Sequence, residues 1–433
     1  MMQNFHEARK PLLLVFPYDV MAHYLRCLQL CKYLKPYFEI RFIYSNQFHS
    51  FVADAGFETF ECASLNAAKV QECMRSFNFS WLNERELGFI YNDQVKVIDE
   101  LQPAAVLGDM APTLQMAAEK TGVFYFSLIN GYMSKYYAYV RRMPKKYPLY
   151  KLLNYLPDSL FQYFTNIGEH LFFEDMHRPF SKIRRRAGLA AKHSYMQELE
   201  GDANLVCDLP DLFPQKNLPA NYFIIPPLFH NGTDEVFDVI TKLDNSKKTL
   251  YVSMGSTGSW NEVTFLNNPE YEKFNIVTAG DHEQLIQGSN VFSYDFINSN
   301  KLFDLVDLVI CHGGNGTIYQ ALSNGIPLLC KTTHVEQEYN VDGLERMNVG
   351  NCLDDIQDPS NQLAIIEEWI EKKHSKELTF IENKIRGANS EFESIIENLL
   401  NVCFYKNKTM KGMLSSEAER IQREDKAIIV GQN

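Results

Sequence analysis

Between residues 308 and 337 the chain reads LVICHGGNGTIYQALSNGIPLLCKTTHVEQ, a stretch rich in residue types that can hold an anion. Val309, Ile310 and Cys311 are apolar enough for a buried strand. Gly313, Gly314 and Gly316 then let the backbone bend tightly and approach a ligand with no side chains in the way. A helix predicted over 317–324 aims its free N–H groups and partial positive end at that turn. Gly325 is placed to stop the helix, and 326–330 reads as the next buried strand. Glycine spacing alone also fits a turn that only packs closely. Here His312 stands at the mouth of the turn, Thr317 sits in the first helical turn, and Glu336 and Gln337 follow the next strand. The amides from Gly313 through Asn315 to Thr317, the imidazole of His312 and the Thr317 hydroxyl together form a donor set suited to a phosphate.

Other candidates lie elsewhere. His23, in VMAHYLRCLQLCKYL, follows the first predicted strand, and Asp109 ends the strand AAVLGD. A carboxylate on the far nitrogen of an imidazole fixes its tautomer and raises its basicity, which suits a general base. A second glycine-bearing turn, Gly255-Ser256-Thr257-Gly258-Ser259, follows the strand predicted over 249–254. Residues 124–173 are crowded with aromatics, among them Phe126, Tyr132, Tyr136, Tyr137, Tyr139, Phe161, Tyr163, Phe164, Phe172 and Phe173. They suit either a hydrophobic ligand pocket or the core of a helical insertion. Arg141, Arg142, Lys145, Lys146 and Lys151 form one basic cluster, read as a solvated face, with an anionic ligand or a membrane surface as the other readings.

These residues must be positioned by a repeating scaffold. Short apolar strands at 11–17, 38–44, 58–62, 104–108 and 123–128 alternate with helical patterns, and the alternation restarts at 249–254, 274–278 and 291–294. Strands alternating with helices imply parallel, doubly wound sheets. Residues 208–234 carry five prolines and no helical period, and read as the connection between two domains. The boundaries expected are 1–225, 226–400 and a polar tail, 401–433, partly disordered; 381–400 reads as a helical stretch that closes the second domain.

With 433 residues the chain suits two domains of about 200 residues each. A formal charge of −12 argues against a nucleic-acid partner. No run approaches the roughly 18 apolar residues of a spanning helix, and the N-terminus lacks the apolar core of a leader, so a cytoplasmic protein is expected. Nine cysteines without CxxC pairs fit reduced thiols, with Cys27 and Cys31 as core residues. The sequon Asn231-Gly232-Thr233 has no meaning in that compartment.

The pattern of His312, Gly313, Gly314, Gly316 and Thr317, then Gly325 and Pro327, then Glu336, Gln337 and Asn340, resembles the nucleotide-sugar signature of the UDP-glycosyltransferase family. That resemblance implies a GT-B fold, with two Rossmann-like domains facing a cleft, and allows the helical stretch 381–400 to cross back to the first domain. It implies an inverting, metal-independent transfer of a hexose from a UDP- or dTDP-sugar, a co-substrate, to a hydroxyl of a lipophilic small molecule, with no cofactor. The implied donor site is Ser256, His312 to Thr317, Gln320, Glu336 and Gln337, the last two on the sugar hydroxyls. The implied catalytic pair is His23 and Asp109. Three departures stand out: Gln320 replaces the family's ribose-binding Glu, the loop 295–299 lacks the usual proline, and Ala22 and Arg26 replace the Gly and Pro around the catalytic histidine. The alternatives are a nucleotide-sugar 2-epimerase of the same fold and a catalytically inactive nucleotide-sugar-binding relative. A peripheral membrane contact stays open.

Overall fold

The computed structural model describes residues 10–145, 147, 149–153, 155–229, 238–281, 283–295, 297, 300–356 and 358–406. Two wholly parallel sheets form the frame. The first contains β1 (Leu12–Pro17), β2 (Glu39–Ile43), β3 (Glu58–Phe60), β4 (Ala105–Asp109), β5 (Phe124–Ile129), β6 (Ala203–Cys207) and β7 (Tyr222–Ile225), in the order β3-β2-β1-β4-β5-β6-β7. The second contains β8 (Thr249–Ser253), β9 (Asn275–Ala279), β10 (Val291–Tyr294), β11 (Leu308–Cys311), β12 (Leu328–Cys330) and β13 (Gly350–Cys352), in the order β10-β9-β8-β11-β12-β13. Strands such as LLLVFP and LVIC are apolar on both faces because helices cover both: Leu13, Leu14 and Val15, and Val309, Ile310 and Cys311, are fully buried. In each sheet the order reverses beside the first strand, between β1 and β4 and between β8 and β11, which opens a crevice at the carboxyl ends of those strands. This is the GT-B architecture that the resemblance implies.

Six helices matter below: α1 (Met21–Leu34), α2 (Asp158–Ala187), α3 (Asn315–Leu322), α4 (Val335–Arg346), α5 (Lys376–Ser390) and α6 (Phe392–Lys406). Two expectations are corrected. The proline-rich stretch 208–234 is not all connection, because its residues Tyr222–Ile225 pair with β6 as the edge strand of the first sheet. Pro219 and Pro226 flank that strand, which is where an edge strand tolerates proline and where the sequence pattern hides it. The expected helical stretch 381–400 is not continuous but breaks at Glu391 into α5 and α6. α6 returns to the first domain, the crossing that the resemblance allows, and packs on α1 and β7 with Tyr33 and Phe392 rings 4.3 Å apart. The sequon at Asn231, and the tail from 407 on, lie outside the described residues.

The two halves are tied by hydrogen bonds as well as by packing. Tyr319 on α3 donates to the buried Asp208 carboxylate at 2.6 Å and accepts from the Leu209 amide at 3.1 Å. Arg346 on α4 donates to Leu212 O at 2.9 Å and to the Tyr137 hydroxyl at 2.8 Å. The basic cluster is likewise spent on structure rather than presented as a solvated face. Arg141 is buried against Glu169 and the Ser134 carbonyl, Arg142 pairs with Glu345 at 3.1 Å, and Lys145 pairs with Asp355 at 2.7 Å. Lys146 and the Lys151 side chain lie outside the described residues.

Candidate active site

β11 delivers His312 to the crevice of the second sheet, and the following backbone is shaped around that ring. A Cβ on Gly314 would come within 2.4 Å of His312 Nε2, and one on Gly255 within 2.4 Å of its Cε1. Gly313 (φ +87°) and Gly255 (φ +53°) also adopt left-handed backbone that disfavours a side chain. These glycines therefore make room for the imidazole, a packing role distinct from the ligand approach expected of them. Gly316 is different: nothing stands within 4 Å of a Cβ placed there, so its missing side chain leaves open space at the start of α3.

Gly314 caps α3, and Asn315, Gly316 and Thr317 form its first turn, with the amides toward the crevice. Asn340 on α4 fixes the turn by donating to Gly313 O at 2.9 Å. Burial pushes the His312 imidazole down to about 4, against a weaker upward pull from a backbone hydrogen bond at Ser253. The ring is thus neutral near neutral pH. Gln320 lies one turn farther along α3, half-buried.

Ser256 is exposed in the loop after β8, while its neighbour Thr257 is anchored by Thr333 Oγ1 on its carbonyl at 3.2 Å. Gln337, expected on the sugar hydroxyls, is hydrogen-bonded to both neighbouring loops. Its Oε1 accepts from Thr333 N at 2.6 Å and its Nε2 donates to Thr257 Oγ1 at 3.2 Å, so its amide joins the two loops. Glu336, the other member of that pair, faces the first domain. Burial raises its carboxyl above the usual range, with His23 and Arg26 opposing and Asp109 adding to the rise. Phe296, Asn298 and Ser299 of the loop without proline lie outside the described residues.

In the first sheet β1 and β4 pair in register, Pro17 beside Asp109, and the Tyr18 amide donates to Asp109 O at 2.9 Å. α1 begins four residues beyond β1 and carries His23 back over that strand end, where its Nδ1 lies 2.9 Å from Asp109 Oδ1. The Tyr18 ring meets the imidazole edge-on at 5.5 Å. Sequence reasoning missed a third member: Arg26, also buried, donates through Nε and Nη2 to both Asp109 oxygens and through Nη1 to Asn130 Oδ1. Its signal was present, since residues three apart on a helix share a face and Arg26 follows His23 by three. Burial alone would raise the Asp109 carboxyl, but Arg26 and then His23 outweigh it and hold the group down at about 2. Asp109 is therefore a permanent anion.

Beside this group lies an apolar cavity that both domains line. Phe77, Phe79, Trp81 and Phe172 contribute rings from the first, and Glu336 and Tyr339 close it from α4. Of the aromatics expected at 124–173, Phe172 and Phe173 reach this cavity. Phe126 and Tyr132 are core, and Tyr139, Tyr163 and Phe164 are exposed. Phe77, Phe79 and Trp81 come from a stretch whose sequence gave no such signal.

A doubly wound pair of domains, with a glycine-bearing helix start on one side of the crevice and a His–Asp pair on the other, defines the GT-B architecture. The comparisons agree. Residues 239–399 match the model of the glycosyltransferase family 28 C-terminal domain. A PGL/p-HBAD biosynthesis rhamnosyltransferase of Mycobacterium bovis (strain BCG / Pasteur 1173P2) is 24% identical over 351 residues, 80% of this chain and 77% of that one. A related chain of the same strain, 24% identical over 257 residues (58% of this chain, 69% of that one), is described as an inactive PGL/p-HBAD biosynthesis glycosyltransferase. Among solved structures, glycosyltransferase VinC in complex with dTDP matches with a TM-score of 0.61 at 14% identity, covering 91% of this chain and 100% of that one. The activity is that of a glycosyltransferase.

Proposed function

We propose that the protein transfers a hexose, with inversion, from a UDP- or dTDP-sugar to a hydroxyl of a lipophilic, ring-bearing acceptor, without a metal or cofactor. The observation that carries this reading is the His23 imidazole, 2.9 Å from the buried Asp109 anion, whose chain neighbour Met110 lines an aromatic cavity that Glu336 closes from the donor domain. The acceptor binds among Phe77, Phe79, Trp81 and Phe172, with its hydroxyl toward His23 Nε2. As its oxygen bonds the anomeric carbon, its proton passes to Nε2, and the bond from that carbon to the diphosphate breaks with the electron pair leaving on the diphosphate. The first-turn amides of α3, the neutral His312 and the Thr317 hydroxyl receive that charge as fixed dipoles. Glu336 accepts from sugar hydroxyls. A dTDP donor gains support from the VinC complex, and the absent ribose-binding carboxylate at Gln320 is compatible with it. Nine cysteines without a disulfide among them suit a cytoplasmic setting.

An inactive relative is the second reading, favoured by the altered helix start around His23. The assembled His23–Asp109 pair argues for the active one. The test is turnover of a panel of UDP- and dTDP-hexoses with an aromatic acceptor, with and without EDTA. Turnover that persists in EDTA, is lost in His23→Ala with donor affinity kept, and collapses in His312→Ala supports the proposal. Full transfer by His23→Ala rejects its base.

A further inference from the structure

Arg26 puts a buried positive charge against the ring that must itself become positive during transfer. Its Nη2 lies 3.3 Å from His23 Nδ1 while the same guanidinium grips both oxygens of Asp109. The charged and titratable groups that face His23 are Asp109 from β4, Arg26 from the next turn of α1, Tyr18 from the loop after β1 and Glu336 from α4 across the crevice. Cys27 touches Asp109 from behind, its Sγ 3.8 Å from Oδ2. Two tautomers compete at Nδ1: protonated and donating to Asp109, or bare and accepting from Arg26. The 2.9 Å contact with an ionised carboxylate selects the first, which leaves Nε2 as the basic nitrogen.

In an uncomplicated His–Asp pair the carboxylate stabilises the imidazolium that forms on the ring. Here the guanidinium already neutralises that carboxylate, so the pair presents no net negative charge to the proton arriving at Nε2. The fork holds the geometry and cancels the field at once.

We infer that Arg26 is a positioning residue that fixes Asp109 and His23 while weakening the base, and so selects acceptors whose hydroxyl is already acidic, phenols before aliphatic alcohols. The inference rests on the proposed role of His23. A phenol ionises near pH 10, whereas an alcohol holds its proton about as firmly as water, near 16. A weakened base therefore slows the alcohol more, because more of the proton transfer must be driven by His23. The neighbouring cavity has the same preference in shape, since Phe77 and Phe172 stack with planes 13° apart beside Phe79 and can take a flat ring.

The test compares two acceptors of similar size, 2-naphthol and 2-naphthalenemethanol, using the full chain and the UDP- or dTDP-hexose it turns over. We expect wild type to favour the naphthol in kcat/KM by at least a hundredfold. Arg26→Gln should cut that ratio about tenfold and move the acid limb of the kcat/KM profile upward by about one pH unit, as expected when a neighbouring cation is removed. Arg26→Lys, which keeps the charge and loses the fork, should retain the ratio while lowering kcat on both acceptors. A wild-type preference for the alcohol overturns the inference even where the Gln variant fails to fold. So does an unchanged ratio and acid limb in a folded Arg26→Gln protein with wild-type donor affinity. His23→Ala separates the two levels: if it abolishes transfer to both acceptors, a flat Arg26→Gln result rejects the Arg26 role alone; if it transfers normally, both fall.

Discussion

Asp208 offers the sharpest test of how the two domains are joined. Its carboxylate is buried at the end of β6, where it accepts from Tyr319 Oη at 2.6 Å and from the Gly131 amide at 2.5 Å. Burial raises the group from 3.8 to about 6, although both of those hydrogen bonds pull the other way. The folded chain therefore binds this proton more tightly than the unfolded chain. Its contribution to stability is full below pH 3.8 and is lost as the pH rises through 6, a change of about 3 kcal/mol. His312 runs in the opposite direction. Its imidazole, lowered to about 4 from 6.5, makes the folded state more stable as the pH rises across that window, by a similar amount. The two terms offset each other in wild type between about pH 4 and 6. Asp208→Asn removes one of them and keeps the acceptor for Tyr319, so the variant's stability should climb by about 3 kcal/mol relative to wild type between pH 4 and 7. Chemical denaturation of both proteins across that range gives the difference directly. A difference that stays flat to within about 1 kcal/mol refutes the buried-carboxylate account.

Other expectations concern the site itself. Gly314→Ala should disturb His312, because its new Cβ would meet the ring at 2.4 Å, whereas Gly316→Ala has open space and should fold as well as wild type; isothermal titration should show both losing donor affinity, the second by about tenfold through blocked approach to the helix start. Tyr319→Phe leaves the Leu209 amide and Asp208 each short of a partner, at a cost of about 2 to 4 kcal/mol, measurable by chemical denaturation at pH 8. Phe172→Ala should raise the acceptor KM at least tenfold while leaving the donor KM within twofold, and equal changes in both would remove the cavity from the acceptor site.

The chain's own order of residues determined the parts that short-range physics controls. Apolar runs closed by glycine or aspartate gave the parallel strands, and the strand, glycine turn and helix at 308–322 appeared where the spacing placed them. The position of His23 one short loop beyond β1, and of Asp109 at the end of β4, was enough to pair them, because neighbouring parallel strands bring their carboxyl ends together. Only the tertiary structure decided what depends on residues far apart in sequence. Arg26 became part of the dyad because α1 folds back over β4, and Gln337 was drawn into hydrogen bonds that join the loops of Thr333 and Thr257. The 381–400 stretch broke at Glu391, so that α6 could make the crossing that the resemblance allows and find cover on α1 and β7. Gly255 and Gly314 proved to be fitted to an imidazole, a shape that no spacing of glycines could reveal. Periodicity and turn chemistry are read within a few residues, whereas burial, charge pairing and steric fit exist only once distant segments share a surface.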